Sequence, residues 1–322
     1  MRNFLLRLVM FSLPFWAMAG YLAYSDPPRS EAYEQIQKDC RSGSWIYKRL
    51  YERPEPIDVA LIGTSRTMCG LEDDVMEQFL VDSLNRDWRV ANLGVCRNGV
   101  NLHALLMRDL LLQKRPQKVV VEVHSVMPTN GHMHFPYLAQ VGDVFWPQSF
   151  LNTSVPADWV TFAWYRLCHH REKLLGIHYR YDETLTDGLH SFMRVPDDVV
   201  ADSAEMDKVR ARRQKITSQP PKGIAGLWKE ILDVFPMAYY EEMALRCKDA
   251  GIDLYFLYLP GYGTQANRPQ ELHFYENLGS VLLPPDSIFV NPENFFDPDH
   301  LNQKGARMLS KWLSQQIADG KK

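Results

Sequence analysis

Hydrophobic and polar residues follow two different periods along this chain, and the changes of period mark its elements. The opening run, Leu8 to Tyr24, is almost wholly apolar, with Arg2 and Arg7 at its start and Asp26 just after it. Val59 to Ile62 is apolar without alternation, the pattern of a strand buried on both faces. Leu71 to Leu84 then takes the helical period, with Leu71, Val75, Phe79 and Leu80 on one face. Arg89 to Gly94 reads as a second strand ending in a glycine, Leu102 to Gln113 as a second helix, and Lys118 to His124 as a third strand. Strands and helices in this alternation predict a parallel sheet covered on both faces.

The rhythm breaks at Pro128 and returns at about Gly223. The intervening segment is rich in loops and short helices and holds His132, His134, Trp146, Trp159 and Trp164. It also carries a basic run, Lys208 to Lys215, which reads as a solvated helix face or loop. An insertion of this kind lies over or beside the carboxyl ends of the strands, where it can shape a cleft. Beyond it, Leu227 to Ala250 is helical and stops at Gly251. Ile252 to Leu259 predicts a strand, Glu271 to Leu283 a helix, Ser287 to Val290 a short last strand, and Gln303 to Ile317 an amphipathic closing helix. The predicted organisation is an N-terminal membrane segment over 1–25, a linker with a short helix over 26–56, and one α/β domain over 57–318 with its insertion at 128–223.

The N-terminal run is slightly short for a bilayer span of ~20 residues. Ala17-Met18-Ala19 satisfies the small-x-small rule of a cleavable signal peptide. The apolar run continues past that point through Tyr21, Leu22 and Tyr24, which favours an uncleaved anchor. Pro14 and the lopsided flanking charge argue against a buried core helix. The basic flank predicts an N-terminus in the cytoplasm, a single pass through the inner membrane, and a body on the outer side.

Composition changes this picture little. A net charge of −3 supplies no field that would draw nucleic acid. The five cysteines show no metal-binding ladder, and His132 and His134 lack a third ligand nearby, so no metal or cofactor is expected. Cys69 and Cys96 fall at the ends of neighbouring strands. They can close a disulfide in an oxidising compartment if their Cα atoms come within about 7 Å.

Functional groups in an open parallel sheet collect outside the carboxyl ends of its strands. Ser65 follows the first strand, Gly94 the second, and His124 and Ser125 the third, while Asp297 and His300 precede the closing helix. These residues converge on one edge. A serine, a histidine and an acid three residues from that histidine are the parts of a nucleophilic triad.

Gly63-Thr64-Ser65-Arg66, Asn92-Leu93-Gly94 and Asp297-Pro298-Asp299-His300-Leu301-Asn302 resemble three of the four blocks of the SGNH (GDSL-type) hydrolase superfamily. The resemblance covers roughly 57–125 and 227–318. With its N-terminal anchor the chain is most similar to the branch that includes the alginate acetylation proteins and the D-alanylation protein of teichoic acids. That branch works beside a multi-pass membrane acyltransferase. The resemblance implies a flavodoxin-like three-layer sandwich and acyl transfer to a cell-surface polysaccharide or polymer through an acyl-serine. Ser65 would be the nucleophile, His300 the base and Asp297 its orienter. The backbone N–H groups of Ser65 or Arg66, and of Gly94, would hold the oxyanion.

Two positions depart from the family pattern. Thr64 stands where the family has Asp, and the end of the third strand reads Glu122-Val123-His124-Ser125, without the usual Asn. His124, Asn98 and Asn101 are the substitutes at hand. The departures keep two alternatives open: a serine esterase or deacetylase with the same triad, and an inactive polymer-binding or assembly protein. Simpler readings stand beside the catalytic one. Ser65 can terminate a strand, and Asp297 and His300 can be turn and helix-start residues. Glu122 reads as a satisfied buried acid, His169-His170 as helix surface, and the tryptophans as core rather than sugar platforms.

Overall fold

The protein's structure, a computed structural model, describes residues 2–177, 188–191, 196–214 and 222–320. Part of the insertion, including Lys215 of its basic run, lies outside the described residues. The middle layer is a five-stranded sheet: β1 (Val59–Ile62), β2 (Val90–Asn92), β3 (Lys118–Val123), β4 (Asp253–Tyr258) and β5 (Ser280–Leu282). Its order is β2-β1-β3-β4-β5 and every pairing is parallel. This is the flavodoxin-like order, and it puts the switch between β1 and β3, where the chain first reverses its direction across the sheet.

The alternating side chains of each strand enter two separate cores. Ala60, Ile62, Val119, Val121 and Phe256 join one cluster, and Val59, Leu61, Val120, Tyr255 and Leu257 join the other. Both faces are covered, which is why the strands read as continuous apolar runs.

The first cluster is closed by α2 (Arg29–Cys40), α3 (Gly43–Tyr47), α6 (Val100–Gln113) and α11 (Ile224–Ala250), through Ile36, Trp45, Leu106 and Tyr240. The second is closed by α5 (Asp73–Leu84) and by α14 (Gln303–Ala318), through Leu80, Leu309, Leu313 and Ile317. Between β1 and α5 runs the short α4 (Ser65–Gly70). The N-terminal helix α1 spans Arg2–Tyr24. Its segment Asn3–Leu22 is long and apolar enough to cross a membrane and is not buried against the rest of the protein.

The insertion supplies α7 (Phe135–Leu138), α8 (Val141–Val144), α9 (Val155–Leu175) and α10 (Ser203–Arg213). After β4 come α12 (Leu272–Leu278), α13 (Asp286–Val290) and an antiparallel hairpin of β6 (Phe295–Asp297) and β7 (His300–Leu301).

Four expectations are corrected here. The short helix expected within 26–56 is present as α2, but the stretch packs on the domain and is not a linker, because Tyr33, Ile36 and Cys40 recur at helical spacing and are buried. The last strand is Ser280–Leu282, not Ser287–Val290, which is helical. Gly279 stops the preceding helix in extended backbone where a Cβ would meet Leu254 O at 2.7 Å, and Pro285 opens α13. Cys96 is bonded to Cys40, with Cα atoms 5.2 Å apart, and Cys69 is a free, buried thiol in α4. His169 is buried rather than on the helix surface and pairs with Glu31.

Candidate functional site

The three triad candidates meet at the carboxyl edge of the sheet. His300 Nε2 lies 2.7 Å from Ser65 Oγ. On the other side of the ring, His300 Nδ1 lies 2.8 Å from Asp297 Oδ2. Acid and histidine stand on opposite arms of the β6–β7 hairpin, so Pro298 and Asp299 form its turn. Asp297 Oδ1 also accepts the N–H groups of Asp299, at 2.7 Å, and of His300, at 2.9 Å. Phe296 stacks nearly parallel on the imidazole, with ring centroids 5.4 Å apart. Burial pushes the Asp297 carboxyl up. The hydrogen bond and charge of His300, with the two backbone donors, outweigh it and hold the group below its ordinary value.

Ser65 opens α4, directly after the turn that leaves β1. Gly63 is required there, because a Cβ would come within 2.5 Å of Glu122 Oε2. The turn is held from the adjacent strand. Glu122 accepts from Thr64 N at 2.7 Å, Thr64 Oγ1 at 2.8 Å and Thr67 Oγ1 at 2.7 Å. Burial raises its carboxyl, but His124, the Thr67 hydroxyl, Arg66 and the Thr64 N–H together hold it below the ordinary value. Burial keeps the His124 imidazole low, against the pull of Glu122. The hydrogen bonds that Glu122 accepts favour its carboxylate form, as does the charge of His124 when that ring is protonated. It is a satisfied buried acid, as the sequence implied, and what it satisfies is the serine's turn.

Asn92, at the end of β2, holds the same turn from the other side. Its Nδ2 donates to Thr67 O at 2.9 Å and Leu71 O at 2.7 Å. Its Oδ1 accepts from Gly94 N at 3.0 Å. The Gly94 N–H, expected to face an oxyanion, is thus engaged by its own loop. Gly94 has no room for a side chain, because a Cβ would meet Met68 N at 2.7 Å. Arg66 N donates to Thr64 Oγ1 at 3.2 Å, the N-cap bond of α4. The Ser65 N–H stands in the first turn, where a helix has no intrahelical acceptor for it.

The other candidates fall around this centre. His124 is buried beside Glu122, its Nδ1 3.5 Å from Oε1, and makes no hydrogen bond to the triad among the described residues. Asn98 is exposed, and Asn101 is buried and accepts from His132 N at 2.8 Å. Ser125 Oγ pairs with Tyr258 OH at 2.7 Å. His132 and His134 are buried and directed to Cys96 O and Asp39, at 2.8 Å each. Among the described residues no cluster of three histidines, cysteines or acids could hold a metal.

A feature without a sequence signal is the bridge from the insertion. Asp299 Oδ1 takes Arg66 Nη2 and Arg213 Nη2, each at 2.6 Å. Arg213, in α10, also donates to Tyr262 O at 3.0 Å. The basic run thus reaches the hairpin turn and is not wholly solvated.

The triad lies at the surface, with the His300 and Asp297 side chains 22% and 37% exposed. A groove of about 1280 Å³ runs along β5 between α11, α12 and α14 and contains none of its residues. The arrangement can lower the cost of removing a proton from Ser65 Oγ, the requirement of nucleophilic acyl chemistry. No protein-family model matches the chain, and no curated protein sequence matches it.

Proposed function

We propose that the chain is an exported, membrane-anchored serine acyltransferase of the SGNH type. It would carry an acyl group such as acetyl on Ser65 and pass it to a hydroxyl of a cell-surface polysaccharide or similar polymer. One observation carries the reading: the unbroken hydrogen-bond chain from Asp297 through His300 to Ser65. His300 Nε2 takes the hydroxyl proton as Oγ attacks the acyl carbonyl, then returns it to the leaving group. The polymer hydroxyl is deprotonated by the same nitrogen and displaces Ser65 from the ester, and His300 returns that proton to Ser65 Oγ as it leaves. Asp297 fixes the Nδ1–H tautomer throughout. The oxyanion is received by the Ser65 N–H, joined by the Arg66 N–H when its long bond to Thr64 is given up.

Further features support the setting. The exposed triad suits a large substrate better than a small enclosed one. The Cys40–Cys96 disulfide suits an oxidising compartment outside the cytoplasm. The helix α1 suits a protein that stays at the inner membrane, its N-terminus inside, where a multi-pass acyltransferase would load it.

Two other readings compete. A serine esterase or deacetylase would use the same triad with water as acceptor. A non-catalytic polymer-binding or assembly protein is favoured by one observation: the Gly94 and Arg66 N–H groups are both engaged, and β3 ends without an amide side chain aimed at the serine. The deciding experiment measures the acetyl content of surface polymer in cells carrying Ser65→Ala. Loss of acetyl supports transfer, excess acetyl points to deacetylation, and unchanged polymer removes the catalytic reading.

A further inference from the structure

The outward face of α9 does not have the polar pattern of a helix at an aqueous surface. Its inward face is set by Asp158, Phe162, Tyr165, Arg166 and His169, all buried. The opposite face carries Val160, Trp164, Leu167, Arg171, Leu174 and Leu175, spaced by three and four residues apart from the final adjacent pair. Val160, Trp164, Leu174 and Leu175 are 70%, 64%, 85% and 65% exposed. A solvated helix turns charged and polar residues outward, so a row of large apolar side chains marks a surface that something else covers.

The position of α9 identifies the cover. α1 packs along α9. The two are tied where α1 ends: Ser25 meets His170, and Arg166 Nη2 holds Asp26 at 2.9 Å. Tyr24 stacks on Phe145 at 6.2 Å between ring centroids, and Phe145 contacts Trp159 at 5.6 Å. The apolar row thus adjoins the C-terminal end of the one described helix that is both long and apolar enough to span a bilayer. That end meets the headgroup region if α1 is inserted. Trp and Tyr are the residues that favour that depth, and Arg171, the only charge on the row, has a stem long enough to reach headgroups.

We propose that the outward face of α9 lies in the lipid interface, so that the domain rests on the membrane surface instead of hanging from α1 on a tether. The bilayer is favoured over a second protein because an inserted α1 is itself surrounded by lipid, and α9 is tied to the end of α1. The proposal rests on the membrane-spanning reading of α1, and the experiment separates the two.

The full chain is reconstituted into vesicles of phosphatidylethanolamine and phosphatidylglycerol containing a diazirine-bearing phospholipid, irradiated, and mapped by mass spectrometry. The proposal predicts lipid adducts on α1 and also on Val160, Trp164, Leu174 or Leu175. The pair Val160→Asp and Trp164→Asp should remove the α9 adducts and leave those on α1. Adducts on α1 with none on α9 overturn the proposal and leave the anchor standing. Adducts on neither helix overturn both. Cross-links from the α9 face to a second copy or another protein, in place of lipid, also overturn it.

Discussion

The hairpin edge that carries Ser65, His300 and Asp297 and the outward face of α9 are both surface regions, and they are built in opposite ways. At the hairpin, nearly every polar group has a partner: Asp297 takes three donors, Glu122 holds the serine's turn, and Asp299 bridges two arginines. On α9 the side chains of Val160, Trp164, Leu174 and Leu175 stand exposed. The first region is pre-organised, and its side chains have given up their freedom before any ligand arrives. The second presents apolar surface that the proposed lipid contact would cover. A dense polar network at an exposed edge belongs with chemistry, and bare apolar surface belongs with association.

The comparison is broken most sharply at the hairpin. Ser65→Ala or His300→Ala should each lower acyl transfer by ~10⁵-fold or more, and the double variant should be little worse, because the two act as a unit. Asp297→Asn should cost less than either, ~10⁴-fold, since it spoils the tautomer but leaves nucleophile and base in place. Single-turnover acylation rates on folded variants check this order. If the two single losses multiply in the double variant, the residues are independent and the triad is not a unit.

Glu122→Gln tests whether the serine's turn is held by charge. A glutamine can accept on one side only, and its amide then faces the Thr64 or Thr67 donors. The expected result is a loss of ~2 kcal/mol in stability, the scale of leaving a buried donor unpaired. The acylation rate should fall ~10²-fold, from displacement of Ser65. A melt and a rate that both match wild type would show that the turn holds itself.

A smaller effect sharpens the contrast from the α9 side. Burial pushes the Asp158 carboxyl up to about 7, against the hydrogen bond from Asn152. An acid with a raised folded pKa resists ionisation. It costs nothing below the unfolded value of ~3.9, and its cost grows as pH rises towards 7. Asp158→Asn should therefore raise Tm at pH 8 and leave it nearly unchanged at pH 4. A gain of the same size at both pH values would remove ionisation as the cause.

The sequence carried much of the hairpin edge and little of what supports it. The strand-helix rhythm from Val59 to His124 implied the parallel sheet, and the rule of carboxyl ends then placed Ser65, Asp297 and His300 together before any contact was visible. Glu122 was legible as a satisfied acid, but its partners were not, because they come from the turn after a neighbouring strand. Cys40 could not be matched to Cys96, since the pairing depends on how α2 docks, and a single apolar face does not specify that. The strand at Ser280 and the helix at Asp286 were exchanged because both are short apolar runs, which periodicity alone cannot tell apart. Arg213 reaches Asp299 only because the insertion folds back, and a basic run has no sequence feature that says so.

The most direct test of the central claim is labelling with a fluorophosphonate probe, which reports an activated serine without any knowledge of the substrate. The account predicts that the wild-type chain is labelled on Ser65 and that His300→Ala, folded by its melt, is not. Full labelling of Ser65 in His300→Ala, or no labelling of Ser65 in the wild type, would contradict it.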